Sequence, residues 1–269
     1  MELIKNSRRR SFISNLIHVL LNIAVAVVSV IIIEFTESLL LAILVVLISK
    51  WRVLAVRPRF WFANIQSNLV DYTVNLSIVI LIYLTRISEV PNIEKNVVIF
   101  IYFLIYLVWL TYIKPKSKRS FMAIQSGFAI FLGTSALYNI GFDWWATPVV
   151  AIMWIIGYGV SRHLLSSYDE SKLSTLALYF GLIFAELGWV VYQWTVAYIP
   201  LGVSSLSFPR ASLTILCLSI IAYKCYDSIY HHQKVRWSYI KTPISFSFCI
   251  IVLLPLMLSL LGPNVPVGL

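Results

Sequence analysis

Residues 173–198 read "LSTLALYFGLIFAELGWVVYQWTVAY". The stretch runs 26 residues with one charged side chain, Glu186. At ~1.5 Å rise per residue, such a helix crosses the ~30 Å hydrocarbon core of a bilayer. The stretch lacks the alternation of period two that a barrel strand requires. In lipid, a helix is then the conformation that satisfies its own backbone N–H and C=O groups. The fold follows from this reading, and so does a question: why does the run carry a carboxylate at its centre?

Glu186 is about twelve residues from either end of the run, hence roughly 18 Å from each surface. A charge at that depth costs from ~2.5 to more than ~10 kcal/mol, so the group must be protonated, paired or in contact with water. Thr175, Tyr179 and Gln193 stand at offsets of −11, −7 and +7 from Glu186. At ~100° per residue all four fall within about 20° of one line on the helix. The expectation is that this stripe faces other helices and that the large aliphatic residues face lipid. One reading makes Glu186 a proton or cation site on a transport path. The other makes it a polar contact that fixes helix pairing, and it is favoured because no basic partner lies at the same depth in any run.

Eight further apolar runs lie near 12–33, 38–56, 67–86, 96–113, 120–138, 144–161, 210–230 and 243–261. The whole chain of 269 residues is 60% hydrophobic and 12% charged, against about 25% charged for a soluble domain. The expected fold is all-α: a polytopic transmembrane bundle of nine spans forming one domain over 1–269. The run at 38–56 is the least regular, because Lys50 and Arg52 interrupt its last turns, and both can snorkel to headgroups. "KNSRRR" before the first run resembles the start of a secretory signal. "EFTESLL" follows where a small-residue cleavage site would stand, so the run reads as a retained span.

The formal net charge is +10, and its distribution sets the threading. With the N-terminus in the cytoplasm and nine alternating spans, eighteen of the 21 basic residues fall inside and only Arg86, Lys95 and Arg210 fall outside. This is a strong positive-inside bias, giving N-terminus in, C-terminus out and a cytoplasmic (inner) membrane location. It also removes the nucleic-acid reading that such a charge would carry in a soluble protein. The segments between runs are too short for a soluble domain, and no phosphate-binding glycine loop is present. No cofactor is expected.

Other polar groups are weaker candidates. Asn64, Asn68, Asp71 and Asn75 lie along one side near the start of the third run. "NLVD" has a faint likeness to the first motif of intramembrane prenyltransferases, but Asn75 stands four residues after Asp71 and no second aspartate-rich motif follows. In "YKCYDSIYHHQK", Lys224, Asp227 and His231 share a helix face beside His232, and Lys224–Asp227 is spaced for an ion pair. Asp227, His231 and His232, with His163, Asp169 and Glu170 on the same side, form a weak metal or acid–base candidate whose spacing matches no zinc motif. A wet helix end is the plainer reading. His18 reads as a packing residue, Cys217, Cys225 and Cys249 as small buried hydrophobes, and Pro255 as a kink in the last run. Gly127, Gly133, Gly157 and Gly159 can admit close helix approach.

Between the second and third runs, "SKWRVLAVRPRFWFANIQSNLVD" (49–71) alternates Arg52, Arg57 and Arg59 with Trp51, Phe60, Trp61 and Phe62. It reads as an interfacial segment, with rings at the acyl boundary and guanidinium groups on anionic headgroups. It is also the expected docking surface for a protein partner. This segment, with "LIFAELGWVVYQWTVAYIPLG" farther on, is similar to uncharacterised multi-pass membrane proteins of Saccharibacteria and related reduced-genome bacteria. Ala185, Glu186, Trp189 and Pro200 carry that likeness, which implies a bacterial cytoplasmic-membrane protein and transfers no catalytic residue. The functional expectation is a non-enzymatic membrane component that docks or assembles partners through its basic cytoplasmic face. The alternatives are a secondary transporter of a small molecule or lipid with Glu186 at its midplane, and a lipid-modifying enzyme.

Overall fold

The computed structural model describes residues 2–168, 170–194, 200–203, 206–253 and 256. Helix α1 (Glu2–Thr36) turns at Glu37, which takes a left-handed φ of 49°, into the short α2 (Leu39–Ser49). Ser38 caps α2 by accepting the Leu41 N–H. Then α3 (Trp51–Leu54), a 3₁₀ turn at Pro58–Phe60 and α4 (Trp61–Ser67) lie across one end of the bundle. The long helices α5 (Leu69–Ile87), α6 (Asn92–Val108, continued as a π-turn over Trp109–Ile113), α7 (Arg119–Ile140), α8 (Ala146–Leu165) and α9 (Leu173–Gln193) follow. A hairpin of β1 (Pro200–Val203) and β2 (Leu206–Pro209) leads into α10 (Arg210–His232), and α11 (Trp237–Phe248) comes last.

Seven of the described helices are long and apolar enough to cross a bilayer. Two further apolar helices are shorter among the described residues: α2, in the run at 38–56, has 11 residues, and another covers Trp237–Val252, while the run at 243–261 continues beyond the described residues. The kink expected at Pro255 falls outside the described residues. Within them Pro243 sits inside α11, and a π-turn over Cys249–Leu253 follows that helix. The hairpin at 200–209 was not foreseen. Its register pairs Pro200 with Pro209 and Val203 with Leu206, and Phe208 meets Phe131 of α7 at 4.8 Å between ring centres.

The centre is built on α5, which packs on α6, α7, α8, α1 and α2. Trp109, Tyr102, Tyr106, Tyr138 and Tyr168 are its largest fully buried side chains. Helix α9 rests on α8 through a seam of small residues. Ala177, Gly181 and Gly188 face α8, the last against Met153, while Gly157 of α8 receives the Phe184 ring. Helix α10 packs instead on α7 and α11. Between α9 and α10 lies a half-open crevice floored by α7 and α8.

Candidate functional site

The two ends of the bundle differ in charge. At the end carrying most lysines and arginines, α2, α5 and the π-turn bring three side chains together. Asp71 Oδ2 accepts from Lys50 Nζ at 2.5 Å and from Lys114 Nζ at 2.9 Å. Asn75, one turn on, donates to Asp71 Oδ1 at 2.7 Å. The Lys50 and Asp71 side chains keep only 10% and 12% of their surface exposed. Lys50 therefore does not snorkel to headgroups: it is clamped by a carboxylate. At the opposite end Arg86 reaches Glu34 and Glu37, each at 3.4 Å. The two ion-pair layers stand on α5 fifteen residues apart, about 22 Å along the axis.

A second cluster at the basic end joins α7, α8 and α10. The Arg119 guanidinium lies 4.2 Å from the centre of the Tyr168 ring, donates to the Ser167 carbonyl at 3.2 Å and approaches His231 Nε2 at 3.4 Å. Tyr168 donates to Asp227 Oδ1 at 2.8 Å, and the Tyr226 hydroxyl donates to Glu170. Gln125 Oε1 accepts from His163 Nε2 at 2.7 Å, and its Nε2 donates to the Ile113 and Lys116 carbonyls at 2.8 and 2.9 Å.

The expected Lys224–Asp227 pair is replaced. Asp227 turns to Tyr168 and to His231, 3.4 Å away, while the Lys224 ammonium lies 5.3 Å from the centre of the Tyr223 ring. Among the described residues no three His, Cys, Asp or Glu side chains group to hold a metal ion. His231 and His232 have ring centres 6.4 Å apart, and His163 is held by Gln125. Asp169 lies outside the described residues, as do the side chains of Arg52 and His18.

Arg57 and Arg59 are exposed, with Trp61 and Phe62 exposed by 42% and 72%. Trp61 Nε1 donates to the Val56 carbonyl at 3.0 Å, which holds its ring at the rim of the segment.

The Glu186 stripe is where expectation and structure part. Thr175, Tyr179, Glu186 and Gln193 do share a face of α9, but that face points out of the bundle, directly opposite the seam with α8. Tyr179 is 60% exposed, and the carboxylate of Glu186 meets no hydrogen-bond or ion-pair partner among the described residues. Helix α9 also ends at Gln193, so Glu186 is seven residues, about 10 Å, from that end rather than central in a longer run. The small residues Ala177, Gly181 and Gly188 took the inner face, because only they let α9 approach α8 closely. Lys114, Arg119, Gln125, Tyr168 and Tyr226 are the site residues that sequence reasoning did not single out. Their partners lie from 9 to 112 positions away, where no local spacing reports them.

No family model, no curated protein and no solved structure matches the chain.

Proposed function

We propose that this chain is a multi-pass protein of the cytoplasmic membrane, N-terminus inside, that serves as a non-enzymatic component of a membrane assembly and pairs with a second copy along the outward stripe of α9. One observation carries the reading: Glu186 is exposed on the outside of a helix apolar enough to cross the bilayer. An uncovered carboxylate there would meet hydrocarbon at a cost of at least ~2.5 kcal/mol, and such residues normally face protein or water. The stripe holds hydroxyl and amide donors beside a carboxyl acceptor, so it is complementary to itself. A two-fold axis along the membrane normal brings each residue of the stripe to its own depth in the partner. Glu186 and the Gln193 amide then have hydrogen-bonding groups of the second copy opposite them.

The orientation rests on the basic end being cytoplasmic, as the bias of eighteen basic residues to three argues. A crossing by α2 is supported by the two ion-pair layers. Helix α2 runs from beside Glu37 to Lys50, and its 11 residues (~16 Å) with the Lys50 side chain bridge the interval between the layers. The exposed Arg57, Arg59, Trp61 and Phe62 suit anchoring on anionic headgroups and docking of a cytoplasmic partner. A transport path within one chain is disfavoured, because the stripe lies on the opposite side of α9 from the α8 seam and outside the crevice.

The test is the mass of the purified protein in mild detergent, corrected for detergent and lipid. A dimer is expected for the native chain and for Glu186→Gln, which keeps hydrogen bonding, and a monomer for Glu186→Leu. A monomeric native chain, or a dimer indifferent to Glu186→Leu, would reject the pairing.

A further inference from the structure

The crevice between α9 and α10 differs from an ordinary packing defect in three respects. Its walls are apolar: Phe180 and Phe184 on α9 face Leu216 and Ile220 on α10 across a floor that includes Gly127 and Gly157. It lies between two helices that rest on different neighbours, α9 on α8 and α10 on α7, which leaves a lateral route of entry from the bilayer. And one wall carries an unanswered polar group. Ser126 of α7 is 3% exposed, lines the crevice, and its Oγ has no hydrogen-bond partner. Ser161 and Ser219 also line the crevice, yet each donates to a carbonyl one turn back, at 2.7 Å. A buried hydroxyl left unmade costs about 1–3 kcal/mol, so the position calls for a partner that arrives from the crevice.

The basic end of the crevice is marked by Tyr223 and Tyr226, and just beyond them stand charges of both signs. Arg119 and His231 contribute cationic or hydrogen-bonding nitrogen, while Asp227 and Glu170 contribute carboxylates. Ser126 lies seven residues along α7 from Arg119, about 10 Å deeper. Apolar walls, a hydroxyl donor at that depth and charges of both signs beyond the basic end form a vertical series that matches acyl chain, ester carbonyl and zwitterionic headgroup.

We infer that the α9–α10 crevice is a specific binding site for a diacyl glycerophospholipid with a zwitterionic headgroup, of which phosphatidylethanolamine is the simplest. An acyl chain lies between Phe184 and Leu216, an ester carbonyl accepts from Ser126, the phosphate meets Arg119, and the ammonium faces Asp227 and Glu170. Lateral entry needs no opening of the bundle. The site is independent of pairing along α9, because it lies against the α8 side of that helix and the stripe lies on the other.

Gly127 supplies the probe. A Cβ there would meet only Leu216 Cδ1, at 3.8 Å, so a larger side chain extends into the crevice without striking the backbone. Gly157 is unsuitable, since a Cβ there runs into the Phe184 ring. The experiment uses the full chain in nanodiscs of phosphatidylethanolamine and phosphatidylglycerol, with a phosphatidylethanolamine carrying a diazirine in its acyl chain. Labelled peptides are then mapped after illumination.

Labelling is expected to concentrate on 180–184 and 216–226. Unlabelled phosphatidylethanolamine should displace it better than phosphatidylglycerol does. Gly127→Phe should lower it about tenfold, the worth of losing roughly two buried methylenes, and Ser126→Ala should lower it several-fold. Gly127→Leu serves if the phenylalanine variant does not fold. For the native chain, native mass spectrometry after detergent washing should retain phosphatidylethanolamine. Even labelling around the whole bundle, indifference to the Gly127 variants, equal displacement by both lipids, or retention of a free fatty acid instead would each overturn the assignment.

Discussion

Asp71 illustrates how much a single residue can hold at the end of a membrane bundle. Two ammonium groups share its Oδ2, one from α2 and one from the end of α6, so the carboxylate fastens three helices at one point. Asp71→Ala leaves Lys50 and Lys114 buried together without their counter-charge and should cost about 3–5 kcal/mol, the scale of breaking a buried pair. The check is the fraction of monodisperse protein that survives heating in detergent, where the variant should fall far below the native chain. Lys114→Ala should cost clearly less, because that side chain is 33% exposed and Lys50 still pairs with Asp71. Little of this was legible. Lys50 precedes Asp71 by 21 positions and Lys114 follows it by 43, so neither helical spacing nor a motif joins them. The polar line through Glu186 was legible as a line, since four residues at offsets of seven and four can lie nowhere else. Its direction was misjudged because a polar stripe was taken to mark the inside. Ala177, Gly181 and Gly188 on the opposite face were the signal to weigh: small residues, not polar ones, mark where α9 meets its neighbour.

Two elements carry their own expectations. The α8–α9 seam depends on glycine for space, so Gly157→Ala forces Phe184 aside and should destabilise the bundle by about 1–3 kcal/mol through overpacking. A thermal shift read on tryptophan fluorescence measures it; the same change at Gly127, where the space is open, should leave the transition in place. The segment from Trp51 to Ser67 acts through its surface. Arg57→Ala with Arg59→Ala should weaken retention of co-purifying anionic lipid, by about 1 kcal/mol per arginine near the headgroups, and the difference should shrink as salt rises. Equal retention of anionic lipid by both proteins would remove the anchoring role. In this segment the sequence offered alternating cations and rings around Pro58, while the division into α3, the Pro58–Phe60 turn and α4 comes from the structure. The hairpin at 200–209 was the least legible, since its short strands sit between two long apolar runs and carry no alternation of their own.

At the scale of the whole molecule, composition and run length were sufficient for the helical class, and the charge asymmetry sorted the loops to two ends. The structure adds that each end is closed by ion pairs: Asp71 with two lysines at one, Arg86 with two glutamates at the other. Topology follows as a prediction. With the native cysteines replaced, Ser117→Cys should react with an impermeant maleimide only in inside-out vesicles, and Asp143→Cys only in intact cells; the reverse pattern would invert the orientation. Run length overstated the helix at 38–56, because α2 ends at Ser49 and Lys50 turns to Asp71.

The central claim is that a second copy covers the outward stripe of α9, and disulfide trapping in native membranes tests it most directly. In a chain freed of its own cysteines, Leu182→Cys and Trp189→Cys flank Glu186, and Phe100→Cys on exposed α6 serves as the control. The account predicts a covalent dimer from the α9 positions under mild oxidation, none from Phe100→Cys, and loss of the dimer when Glu186→Leu is added. Monomer at both α9 positions, or a cross-link to a different protein, would contradict it.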